Sequence, residues 1–187
     1  MRPGSLAVIA PLLALGLWLA PASIPPAAAA SAVEIDAEVA AALTRFYEEV
    51  PTGRELAARA KAMLVFPSVI KAGFGIGGEY GEGALRAGSR TLGYYNTASA
   101  SIGLQIGAQA RSEIILFMTE EALARFQASD AWEVGVDGSV TLVKVGVAGE
   151  IDTTSALNDP VIAFIYGERG LMANLSLEGA KITRLEK

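Results

Sequence analysis

The sequence predicts an α+β domain, with N-terminal helices packed on a twisted, mostly antiparallel sheet that can close in part. Three observations lead there. Apolar residues recur at helical spacing from Ile35 to Val50, and the period changes to alternation between Ser68 and Leu116. Beyond that, apolar segments are joined by turns too short for the crossovers that parallel neighbours need. The 187 residues hold 20 glycines, and after residue 30 only Pro51, Pro67 and Pro160 remain of the prolines. Scattered glycine with little proline fits tight turns within packed sheet better than disorder.

The first thirty residues differ in kind from the rest. Arg2 is the only charge before Glu34, an apolar run extends from Leu6 to Ala20, and Pro21, Pro25 and Pro26 precede Ala27 to Ala32. A basic start, a short apolar run and small residues at an Ala-x-Ala site read as a secretory signal peptide, residues 1–30, cut after Ala30 or Ala32. The other reading, an uncleaved anchor, has a run interrupted by Pro11 and Gly16 and short of the roughly 20 residues a span needs. An exported, periplasmic protein is expected, one that can sit at the periphery of a membrane.

Residues 31–53 form the first element. Ser31 and Glu34 have capping-box spacing, and Ile35, Val39, Leu43, Phe46 and Val50 share one helical stripe that Pro51 ends. Thr52 and Glu55 read as a second capping box, opening a helix with Leu56, Ala60, Met63 and Leu64 on its apolar face and Pro67 at its close. Residues 54–187 are then one domain. Glycines interleave with Phe74, Ile76, Tyr80 and Leu85, as in a bent strand or hairpin. From Ile102 to Arg111 apolar residues alternate with Gly103, Gln105, Gly107, Gln109 and Arg111, predicting an apolar face inward and a small or polar face outward. Ile114 to Met118 reads as a buried strand, and Thr119 caps a short helix that buries Leu123 and Phe126. Asp137-Gly138 marks a hairpin between strands at 132–136 and 140–147. Val161 to Tyr166, Leu171 to Leu177 and Lys181 to Leu185 complete the strands. Of Tyr94 and Tyr95, one is expected inside and one at a turn.

Composition excludes much chemistry. With no Cys and no His there is no disulfide, thiol nucleophile, imidazole base or His-ligated metal. The balance of 15 basic and 20 acidic residues argues against nucleic acid as a partner. Gly73-Phe-Gly75-Ile-Gly-Gly78 satisfies G-x-G-x-x-G, yet Glu79 to Gly83 after it makes a poor helix and sets two anions beside the supposed phosphate. Glu79 and Glu82 lie three apart and face opposite sides of a strand, so they form no acid–base pair. Asp152 and Asp159 bound a solvated loop without EF-hand spacing. No catalytic residue, metal ligand or cofactor is nominated, and the chain is expected not to be an enzyme.

Charge is uneven along the chain. Residues 31–53 hold one basic and five acidic groups, residues 54–90 six and three, and residues 91–187 seven and twelve. The middle segment alone is basic. Near an anionic lipid surface each Lys or Arg adds about 1 kcal/mol, within a Debye length.

The stretch Leu64-Val-Phe-Pro67-Ser-Val69-Ile-Lys71-Ala72-Gly73-Phe74-Gly75-Ile-Gly77-Gly78-Glu-Tyr80-Gly81-Glu-Gly83 resembles the SYLF-domain family. Ser101 to Gln109, Ala122 to Phe126 and Gly170 to Gly179 resemble it too, so the likeness runs over about residues 54–187. It implies a lipid-binding module, with anionic phospholipid or a membrane surface as partner. Eukaryotic relatives bind phosphoinositides and some associate with actin, whereas bacterial members are often exported envelope proteins. The helix ahead of the domain is acidic here, and Tyr94 to Ala98 replace a Trp-x-x-Pro element. Both features place the chain nearer the bacterial branch, and phosphoinositides and actin are not carried over. Arg54, Arg59, Lys61 and Lys71 are the nominated headgroup contacts. Lys71 has an alternative role, an ion pair with Glu79 or Glu82 across a hairpin. A second reading of the whole is an interaction protein that docks an envelope partner.

Overall fold

The computed structural model describes residues 30–145, 159–170 and 179–187. The leader up to residue 29, Asp152 and the strand expected at Leu171 to Leu177 lie outside them. The elements run α1 (Ala32–Glu49), α2 (Gly53–Arg59), β1 (Ala62–Ala87), β2 (Arg90–Phe117), α3 (Glu120–Ala128), β3 (Ala131–Glu133), β4 (Thr141–Lys144), β5 (Val161–Gly170) and β6 (Lys181–Leu185).

The first helix forms as its sequence dictates. The Ser31 hydroxyl accepts from the Glu34 amide while the Glu34 carboxylate accepts from the Ser31 amide, which satisfies two orphan donors. Those bonds, the backbone one first, hold the Glu34 carboxyl below the usual range. Ile35, Val39, Ala42 and Phe46 are buried along the helix, with Val50 just beyond it. The second helix departs from expectation. Thr52 has a helical backbone and makes no side-chain cap, and α2 is over by Arg59. Met63 to Phe66 therefore belong to β1: a short apolar run fits helix or strand equally by pattern, and here pairing with Ile114 to Leu116 decides. Pro67, which has no N–H for the ladder, sits at a bulge between Phe66 and Val69.

Two very long strands make the frame. β1 has 26 residues and β2 has 28, and they pair antiparallel from end to end. Because β1 occupies one edge of β2 throughout, β5 and β6 share the other, β5 on Gln109–Phe117 and β6 on Tyr94–Ala98. β3 pairs with β6 antiparallel and β4 with β5 in parallel. The hairpin expected at Asp137-Gly138 does not form, because β3 and β4 pair with other strands; only a bridge between Val134 and Gly138 is found there.

The sheet curls strongly, and β1 doubles back on itself. Eight residues of extended strand span about 26 Å, yet Lys71 Nζ lies 2.8 Å from Glu79 Oε1. The two limbs press together through glycine: a Cβ on Gly81 would meet Ser68 O at 2.8 Å, and one on Gly83 would meet Val65 O at 2.0 Å. The glycine run is thus the bend of a folded ribbon.

Each face of the sheet carries a core. On one, α1 and α2 bury Phe46 and Leu56 against Met63, Val65, Ile114, Leu116, Phe164 and Tyr166. On the other, Leu64, Phe66, Ile115 and Phe117 meet Phe126 of α3 and Trp132. The helices are therefore not one N-terminal layer; α3 follows β2 and covers the opposite face. Burial of both faces explains why Ile114 to Phe117 is apolar without alternation.

Candidate functional site

Inside the bend of β1 lies a buried chain of charges. Glu79 accepts from Lys71 at 2.8 Å through Oε1 and from Arg111 Nη2 at 2.6 Å through Oε2; Arg111 Nε reaches Glu113 Oε1 at 2.7 Å. Two cations thus balance two anions out of water. Burial pushes the Glu113 carboxyl up to about 6 against the pull of Arg111, and the nearby negative charge of Glu79 adds to the rise. Arg111 is held protonated: burial works against its charge, and Glu113 and Glu79 outweigh burial. The group has no exposed reacting atom, so it acts as a staple across the bend. Sequence reasoning missed Arg111 and Glu113. Gln109, Arg111 and Glu113 have the parity of Ile115 and Phe117, which marks them as inward-facing. At its described end the expected orientation is reversed, since Gln109 and Arg111 are buried and Ala108 is exposed; the side chains of Ile102, Leu104 and Ile106 lie outside the described ones.

A second ionic contact ties Lys187 and the backbone ahead of α1 to the sheet. Lys187 Nζ donates to Ala30 O at 2.6 Å and lies 3.1 Å from Glu82 Oε2, while the Tyr80 hydroxyl donates to Glu82 Oε1 at 2.8 Å. Glu79 and Glu82 serve separate cations and form no pair with each other. Tyr95 is buried and Tyr94 is half-buried, its hydroxyl donating to Asp36 at 3.0 Å.

Two clefts open on the surface near α1. One, of about 300 Å³, lies where bulges in β1 and β5 flank Arg111 and Ser112. Arg45 and Arg169 stand on it, but so do Glu38 and Glu49, and this mixture gives an anion little preference. The other, of about 330 Å³, lies between the end of α1, α2 and the turn joining β1 to β2. Its walls are Ala57, Ala58, Ala60, Ala62 and Met63, and its only charged lining groups among the described residues are Arg54 and Arg86. Arg54 stacks on Tyr47, its Cζ 4.8 Å from the ring centroid. Arg86 donates through Nη2 to Ser89 O at 2.7 Å, and its buried Nε has no hydrogen-bond partner among the described residues.

The four nominated cations are not brought together. Arg54 lines the second cleft, and Arg59 is exposed on the last turn of α2. Lys61 is half-exposed, 3.6 Å from Glu120. Lys71 is a correction: it is 5% exposed and paired with Glu79. Its alternative role is the one found, because the bend brings the two side chains inside. Arg86, in the same basic segment, takes its place beside Arg54.

Among the described residues no helix is long and apolar enough to cross a membrane, and no acidic cluster gathers to hold a metal. Residues 98–187 match the family described as Ysc84, Las17-binding protein actin regulator; the match begins within β2. No curated protein matches the chain.

Proposed function

From the match of residues 98–187 to the Ysc84 (SYLF) family, we propose that the protein binds anionic phospholipid or a lipid-like amphiphile and is not an enzyme. The observation that carries this reading is the cleft of Arg54 and Arg86. Two guanidiniums over alanine and methionine walls suit a phosphodiester with an apolar body behind it, since each offers several donors to phosphate oxygens. The leader supports export, which would bring the protein to an envelope membrane from outside the cytoplasm.

Flotation with vesicles tests the reading. Recovery with phosphatidylglycerol vesicles and not with phosphatidylcholine alone is expected, and Arg54→Glu with Arg86→Glu should weaken it about tenfold, close to 1.4 kcal/mol. Equal failure with both lipids would end the proposal. The family description itself favours a second reading, a protein-docking module. That one predicts a co-purifying partner and no vesicle binding.

A further inference from the structure

No charged residue occurs from Thr91 to Ala110 or from Ala72 to Gly78. These stretches are register partners across the bend of β1 and β2. The charges bordering the bend, Lys71, Glu79 and Arg111, turn inward and, together with Glu113, neutralise one another. The outward face is apolar: Ile70 is 56% exposed, Ile76 72% and Tyr80 48%. A water-facing surface carries roughly 25–35% charged residues, so this one is not fitted to water.

Polar groups stand at the margin of this face. Ala110 pairs with Ile70 on one side and with Arg169 on the other, which sets the exposed Arg169 on the same face as Ile70. On the other limb the Tyr80 ring is exposed while its hydroxyl is fixed on Glu82. An apolar apex with an aromatic and a cation at its edge is the order of groups met on crossing a membrane interface. A second copy is the poorer occupant. Among the described residues three partly exposed side chains on a narrow ribbon offer far less than the roughly 800 Å² per partner of a standard interface, whereas insertion into lipid has no such minimum.

We propose that the bend around Ile76 enters the headgroup–acyl boundary of a bilayer as a second lipid contact. It is distinct from the Arg54–Arg86 cleft, since the limb from Met63 to the bend separates them by roughly 30 Å. The inference rests on the lipid-binding reading, and the two fail differently.

The test uses the full chain with phosphatidylglycerol–phosphatidylcholine vesicles. Ile76→Asp should lower binding tenfold or more, and the loss should persist at about 0.5 M salt, where exposed charges are screened. Ile76→Trp in a Trp18→Phe background, which keeps the bend apolar, should show emission quenched by lipids brominated in the acyl chain that the Trp18→Phe parent, with only the buried Trp132, does not show. If Ile76→Asp binds as the wild type and Ile76→Trp is unquenched while Arg54→Glu with Arg86→Glu loses binding, the bend is overturned and the cleft stands. If the wild type binds no vesicle, both fall. If Ile76→Asp instead abolishes self-association seen without lipid, the face belongs to a second copy and the proposal is overturned.

Discussion

Glu113 sits 1% exposed with one guanidinium to share, and that makes it the residue whose titration couples to folding. Its folded value of about 6 lies above the ordinary 4.5. A group raised on folding binds its proton more tightly in the native state. Its stability is full below pH 4.5 and is lost as pH rises through 6, a difference of about 2 kcal/mol. The wild type should therefore lose stability, relative to Glu113→Gln, between pH 4.5 and 7. Urea midpoints at both pH values check this, and parallel changes in the two proteins would refute it. Glycines make a second contrast at this scale. A Cβ at Gly83 would lie 2.0 Å from Val65 O, so Gly83→Ala must push two limbs of backbone apart and should cost about 3 kcal/mol or more. Gly88 has φ +58° and nothing within 4 Å, so Gly88→Ala meets only its own backbone preference, roughly 1–2 kcal/mol. Thermal melts that rank the two the other way would contradict the doubled strand.

The doubled strand is the element on which the site assignments turn. Lys71 looks in sequence like one more member of a basic surface, and only the bend reveals it as half of an internal pair. Lys71→Met leaves Glu79 buried with one fewer cation and should cost about 3–5 kcal/mol without changing vesicle binding. Arg54→Glu should do the reverse, with stability within about 1 kcal/mol and binding impaired, since Arg54 is exposed and loses only its contact with Tyr47. Denaturant curves and flotation on both variants decide the matter; loss of binding in Lys71→Met at full stability would return it to the surface. The limits of sequence reading follow the same line. α1 was legible because periodicity, cap and Pro51 agree. Met63 and Leu64 read as helix because so short an apolar run has no period of its own. The Asp137-Gly138 turn was outweighed by pairing along β5 and β6, which no local signal announces. The cleft was half legible: Arg54 and Arg86 both lay in the basic segment, but their meeting depends on β1 returning to its own start.

Across the whole molecule, one sheet separates two cores that share no side chain yet share strands β1, β2, β4 and β5 between them. Leu64 and Phe66 face α3, while Met63 and Val65, their immediate neighbours, face α1. Neither side can lose its packing without releasing strands that the other needs, so the described body should unfold in one step despite its two cores. Phe46 and Phe126, both buried, sit on opposite sides, and truncation of each to Ala should cost about 3–5 kcal/mol. At about 2–4 °C per kcal/mol for a chain of this size, either change should lower the melting temperature by roughly 10 °C. The discriminating signal is Trp132, which packs against Phe117 and Phe126 on the α3 side. In a Trp18→Phe background it reports that side alone. Phe46→Ala, on the far face, should shift the Trp132 fluorescence transition as far as it shifts the far-ultraviolet dichroism. A fluorescence transition left at its wild-type temperature while the dichroism moves would show that the faces unfold separately.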